Sequence, residues 1–200
     1  MDSHDIFLVF VGGAQGHEEA YAEWFAGTHM SDMAQLSGVV SARAYRLESL
    51  DGEAVPAQLC AIYETIDGPE ILNTIAAAKG TDALPASDIQ GKMIWRVLEG
   101  LEARDYGNEG HASSELICMF GGPYDEEADS RLLQHLCEHQ GIGTIRQTRL
   151  SPAQPARGSE FGSILFVQIE SACDPSLLTT DIARIRPTSE LRFLLASPLG

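Results

Sequence analysis

The chain repeats itself. "DIFLVFVGG" near the start recurs as "ELICMFGG" at Glu115 to Gly122. "GVVSARAYRL" (Gly38 to Leu47) recurs as "GIGTIRQTRL" (Gly141 to Leu150), and "YETIDGPEIL" (Tyr63 to Leu72) returns loosely as "IESACDPSLL" (Ile169 to Leu178). The order of matches is kept, and the offset shifts only from about 109 to 103 to 106 residues between them. The copies therefore differ by short insertions, the largest in the first helix. Two copies of one unit point to a fused dimer, and the positions where they disagree become the clue to function.

Each half reads strand, helix, strand, strand, helix, strand. In the first, Ile6 to Val11 is an apolar run closed by Gly12 and Gly13, and a helix spans roughly His17 to Leu36 with acids in its first turn. Strands follow at Val39 to Leu47, Gln58 to Thr65 and Lys92 to Leu98, with a helix from Pro69 to about Lys79 and a loop, "GTDALPASDIQG", after it. The second half repeats this: a strand at Leu116 to Phe120, a helix at Glu126 to His139, strands at Ile142 to Leu150 and Ser163 to Glu170, a helix at Pro175 to Ile185 and a strand at Glu190 to Ala196. The units are expected at 1–100 and 114–200, with the polar, glycine-containing stretch 101–113 as linker. "IFLVFV" and "ELICMF" are apolar on both alternating faces, so both faces of each sheet need cover. Helices supply one cover and the opposite half's sheet supplies the other, which predicts two four-stranded sheets face to face with helices outside.

This pattern resembles the dimeric α+β barrel superfamily. The fold class it implies is α+β, with two tandem ferredoxin-like βαββαβ units forming an intramolecular dimeric α+β barrel. "EWFAGTHMSDMAQLSGVVSARAYRL" in the first half is similar to the EthD-type branch: an aromatic pair, a histidine four or five residues on, then Leu-x-Gly and a strand. "QLSG" stands where "LPG" is common in that branch.

Composition excludes several classes. The net charge of −16 opposes a phosphate backbone, so nucleic acid is not expected as a partner. No apolar stretch reaches the length of a membrane span, and no basic-then-apolar leader opens the sequence, so the cytoplasm is the expected location. Cys60, Cys118, Cys137 and Cys173 form no CxxC pair, and no metal ligand set is assigned. With the dimer contact met by fusion, a monomer (a pseudo-dimer) or a homodimer is expected.

His29 leads the candidate catalytic residues. Phe25, His29, Met33 and Leu36 form one stripe on the first helix, which should face the sheet. A neutral imidazole there has one donor and one acceptor nitrogen and can take a proton from carbon or oxygen. The plain alternative is a core histidine bonded to a backbone carbonyl. Asp32, one turn on, could orient or charge the ring, and Tyr63 or Tyr45 could polarise or anchor an oxygen. Trp24, Phe25 and Trp95 would form an apolar wall, and Arg43 could clamp a carboxylate. Arg43, Arg46, Arg146 and Arg149 recur at matching positions, which fits a structural role between the halves equally well.

The second copy has Leu132 opposite His29, so the fold itself does not require the histidine. It carries His135 and His139 instead, an i, i+4 pair that could share a metal or simply sit solvated at a helix end. "GGAQGHEEA" fits no phosphate-loop pattern, and a tight turn explains its glycines.

The expected function is a cofactor-independent small-molecule enzyme of isomerase, cyclase, lyase or monooxygenase type. Its substrate class would be an aromatic, lactone or polyketide-like compound. Some members of the superfamily hold haem through a histidine near this cleft, which makes haem the alternative to no cofactor. A non-catalytic small-ligand-binding module is the other alternative.

Overall fold

A computed structural model describes residues 4–105, 114–153, 161–171, 173–188 and 190–199. The first half runs β1 (Asp5–Gly13), α1 (Glu18–Trp24), a π-helical turn (Phe25–His29), α2 (Met30–Ala34), β2 (Val39–Ser49), β3 (Leu59–Thr65), α3 (Gly68–Ala78) and β4 (Gln90–Asp105). The second runs β5 (Ser114–Gly121), α4 (Glu126–Leu136), β6 (Ile142–Leu150), β7 (Phe161–Ile169), α5 (Pro175–Ile185) and β8 (Leu191–Pro198). Several helix ends have a local cause. Asp67, Asp125 and Asp174 accept backbone N–H bonds as N-caps of α3, α4 and α5, and Gly38 and Gly141 end the first helices with positive φ of 88° and 82°.

Within each half the antiparallel order is that of a ferredoxin-like unit, β2-β3-β1-β4 and β6-β7-β5-β8. The two sheets do more than face each other. β2 pairs with β8, from Tyr45↔Pro198 to Ser49↔Leu194, and β4 pairs with β6, from Leu98↔Leu150 to Asp105↔Thr144. These seams close all eight strands into one barrel, the layout of a dimeric α+β barrel within a single chain. β4 is long because its first part pairs β1 and its second part pairs β6. It continues to Asp105, so the expected linker begins as strand; 106–113 lie outside the described residues.

The doubly apolar strands are explained by three core layers. Ile6, Leu8 and Phe10 point into the barrel with Ile62, Ile117, Phe166 and Leu194. Phe7, Val9 and Val11 point outward and are covered by Tyr21, Phe25, Met33 and Ile71 of the first helices. Leu116, Cys118 and Phe120 are covered in the same way by Leu132, Leu136 and Ile182. Burial of this kind is worth roughly 1.5–3 kcal/mol per large side chain and dominates the fold. Gly13 sits where a Cβ would meet the Glu18 Cα at 2.8 Å, so the strand turns into α1 only with glycine there.

Candidate functional site

Between the first helix and the outer face of β1, β3 and β4 lies a cavity of about 310 Å³. Tyr21, Trp24, Phe25 and His29 line it from the helix side, and Phe7, Tyr63 and Trp95 from the sheet. The helix changes pitch where it meets the cavity. Phe25–His29 is one π-helical turn set between α-helical pieces, whereas the equivalent α4 in the second half is a regular α-helix. The first helical segment is longer than its counterpart in the repeat, and the π turn that ends at His29 lies within it.

The imidazole of His29 is packed between rings, its centroid 5.1 Å from Phe25 at 18° and 5.1 Å from Trp24 at 31°. Its Nδ1 is buried with no hydrogen-bond partner. Burial pushes the imidazole pKa down to about 4, and the Asp32 charge opposes that shift only in part. The ring is therefore neutral at physiological pH. Asp32 does not orient it: among the described residues no hydrogen bond or ion pair joins the two, and Asp32 does not line the cavity. A charge acting through space is its only link to the ring.

Tyr63 is buried and lines the cavity, stacked on Phe7 at 5.7 Å. Its hydroxyl donates to the Met30 thioether at 3.5 Å, a weak acceptor, and burial pushes its pKa up. Tyr45 and Arg43 are not in this cavity. β2 alternates, so residues 43, 45 and 47 face the barrel while 42 and 44 face the helix layer. Tyr45 donates to Glu115 Oε2 at 2.8 Å, and Arg43 pairs with Glu64 at 2.6 Å. Arg146 from the second half joins the same cluster, 3.0 Å from Glu64 and 2.6 Å from Glu115. Of the recurrent arginines, Arg146 and Arg149 reach across to Glu64 and Glu99 of the first half, whereas Arg43 and Arg46 pair within their own half with Glu64 and Glu19.

Four contributors had no sequence signal that singled them out. Tyr21 stacks on Phe25 at 5.7 Å, and desolvation pushes its hydroxyl up to about 12. Leu84 and Pro85, from the loop after α3, cover the cavity, and Lys79 at the end of α3 is a cation in its lining. An apolar pair inside a polar loop was the one visible hint.

Among the described residues the second half holds no counterpart of this histidine arrangement. Strand register pairs Phe7 with Tyr63, and its counterpart Leu116 with Val167, two residues from the position the sequence match implies. Leu132 and Val167 pack in its apolar layer. Beside them Asp129 and Arg186 form a buried ion pair, with Gln147 donating to Asp129 at 3.0 Å and the guanidinium 4.0 Å from the Phe120 ring. No helix among the described residues is long and apolar enough to cross a membrane.

No family model matches the chain, and no curated protein matches it. Solved structures do share its fold. An anthrone oxidase-like protein superposes with a TM-score of 0.57 at 13% identity, covering 100% of this chain and 92% of the other. A candidate monooxygenase of Fusobacterium nucleatum gives 0.62 at 12%, covering 100% and 94%. Chlorite dismutase of Candidatus Nitrospira defluvii in complex with imidazole gives 0.62 at 12%, covering 100% and 93%. A further structure of that dismutase contains cyanide. Imidazole and cyanide are both iron ligands. With these proteins among the neighbours, and haem-holding members already implied by the family resemblance, the expectation of a cofactor-free site is overturned. Of the residue types that can ligate haem iron, His29 is the one in the cavity lining that is an imidazole; its Nδ1 is buried without a hydrogen-bond partner.

Proposed function

We propose that this protein is an enzyme acting on a small, largely apolar, ring-containing substrate of aromatic or polyketide type. The substrate occupies the cavity beside the first helix, and His29 receives a proton from it. One observation carries this: a neutral imidazole with a buried, unpartnered Nδ1 lines an aromatic cavity of ligand size.

In the first step a C–H bond conjugated with a ring carbonyl breaks. The proton goes to the imidazole, and the electron pair delocalises onto the carbonyl oxygen as an enolate. The imidazolium and the enolate stabilise each other, which offsets the low proton affinity of the ring in the empty cavity. Tyr63 can turn its hydroxyl from the Met30 sulfur, a poor acceptor, to the developing oxyanion. Trp24, Phe25 and Trp95 hold the ring plane and exclude water. If the reaction continues as an oxidation, dioxygen bonds to the carbanion carbon, the hydroperoxide so formed takes the proton from the imidazolium, and loss of water with cleavage of the O–O bond leaves a carbonyl at that carbon. The likeness to an anthrone oxidase-like protein and a candidate monooxygenase supports that continuation.

The test uses the chain's two tryptophans, both of which line the cavity. Anthrone is expected to quench their fluorescence and to be consumed with oxygen uptake. His29→Ala should still bind it but turn over at least about a hundredfold more slowly, the usual loss for a general base. Absence of quenching, or wild-type turnover by His29→Ala, would overturn the proposal.

A second reading rests on the same atom. His29 would hold haem iron, and Lys79 would pair with a propionate. Haem, when bound, supplies redox chemistry at its iron. Haem brings two carboxylates, and among the described residues the lining offers Lys79 as its one lysine or arginine, so the second propionate would face solvent. A haem titration with no Soret change removes it.

A further inference from the structure

Two histidines and an aspartate in the second half take no part in the cavity. His135 lies in the last turn of α4, His139 one turn further along the chain, past the helix end, and Asp181 on the neighbouring α5. The Nε2 atoms of His135 and His139 are 3.1 Å apart. Asp181 Oδ2 lies 3.8 Å from the first and 3.4 Å from the second. All three side chains are half-buried, between 27% and 32% exposed.

These separations are informative. The two carboxylate–imidazole distances exceed the ~2.7–3.2 Å of an ordinary N–H···O hydrogen bond. A single ring proton can satisfy the His135–His139 edge and leaves the other two edges unbonded. A circle through three atoms with edges of 3.1, 3.4 and 3.8 Å has a radius of about 2.0 Å. Zinc bonds imidazole nitrogen at ~2.0–2.1 Å and carboxylate oxygen at ~2.0–2.2 Å. One point at the centre of the triangle, or just above it, therefore reaches all three donors at bonding distance. The other carboxylate oxygen, Oδ1, accepts from Arg184 at 2.7 Å. That bond holds the group so that Oδ2 is the oxygen turned to the imidazoles, the arrangement outer partners give a metal ligand.

We propose that His135, His139 and Asp181 form a binding site for a divalent transition metal of the zinc class. Two imidazoles and one carboxylate suit Zn²⁺ or Co²⁺ and are a poor set for Mg²⁺ or Ca²⁺, which take oxygen ligands. The fourth position opens to solvent and takes water. Because the ligands come from α4, the turn that follows it and α5, the ion clamps the two outer helices of the half that lacks the reactive histidine. The site is independent of the proposed chemistry at His29.

Chelator-treated protein titrated with Co²⁺ tests this. The expected result is one Co²⁺ per chain, with the visible bands of a four-coordinate nitrogen–oxygen site and no thiolate charge-transfer band, displaced by one equivalent of Zn²⁺. Zn²⁺ should also raise the Tm. The double variant His135→Gln/His139→Gln and the single variant Asp181→Asn should lose the bands and the Tm rise, and His29→Ala should keep both. No saturable uptake by the wild-type protein overturns the site, and so does a thiolate band or full uptake by the variants. The wild-type spectrum decides the matter even if a variant folds poorly. Uptake without a rise in Tm removes the clamp.

Discussion

His29 is neutral because of where it stands, and that has a thermodynamic consequence at the residue scale. Its folded pKa of about 4 lies below the ~6.5 of an unfolded histidine. Above pH 6.5 the ring is neutral in both states and costs nothing. As pH falls from there, the unfolded chain takes up a proton that the folded chain refuses, so stability declines until about pH 4. Between pH 7.5 and 5 this amounts to about 2 kcal/mol. His29→Phe keeps the ring stack and removes the titration. Urea midpoints at the two pH values should therefore converge for the variant relative to wild type, and equal pH dependence in both would contradict a buried, neutral imidazole. Catalysis by a base of this kind should hold steady down to about pH 5 and fall near pH 4, with loss at low pH only. The residue scale also divides what was legible from what was not. The stripe containing Phe25, His29 and Met33 could be read because a helix has one period and one buried face. Tyr45 and Arg43 could not be placed, because β2 mixes small, aromatic and charged residues on both alternate sets and so gives no sign of which set faces the helices.

At the scale of elements, the cavity depends on two irregularities that carry weak sequence signals. One is the π turn at Phe25–His29 and the other is the loop after α3. The repeat revealed extra residues in the first helix, but periodicity alone does not say whether an insertion becomes a longer helix or a wider turn. The loop's composition is that of a polar turn, yet Leu84 is 4% exposed and folds back to make a bridge with Lys79. Leu84→Ala should cost about 2–5 kcal/mol, the range for a buried leucine whose surroundings relax incompletely. It should also widen the cavity roof. Denaturation gives the first number. The roof assignment expects the variant to release a fused-ring ligand faster, read by recovery of Trp24 and Trp95 fluorescence. A variant with unchanged stability and release would place Leu84 outside the roof.

For the whole molecule the question is whether two repeated units behave as one. The seams β2–β8 and β4–β6 leave no sheet edge open at the junction of the halves. One end of the barrel is further tied by charges that cross between halves: Arg146 to Glu64, and Tyr45 to Glu115. The Glu115 side chain is 2% exposed and holds both Tyr45 and Arg146. Glu115→Ala leaves the mostly buried Arg146 without that partner, and breaking a buried pair from one side costs about 3–5 kcal/mol. Glu115 belongs to the second half, whereas both tryptophans belong to the first. If the barrel is one cooperative unit, Glu115→Ala should lower the unfolding midpoint seen by tryptophan fluorescence as much as that seen by far-UV circular dichroism. Fluorescence that keeps its wild-type midpoint while the dichroism shifts would mean that the first half stands alone. The cavity would then be a property of one repeat, and the second half would be cover for its inner sheet face and no more.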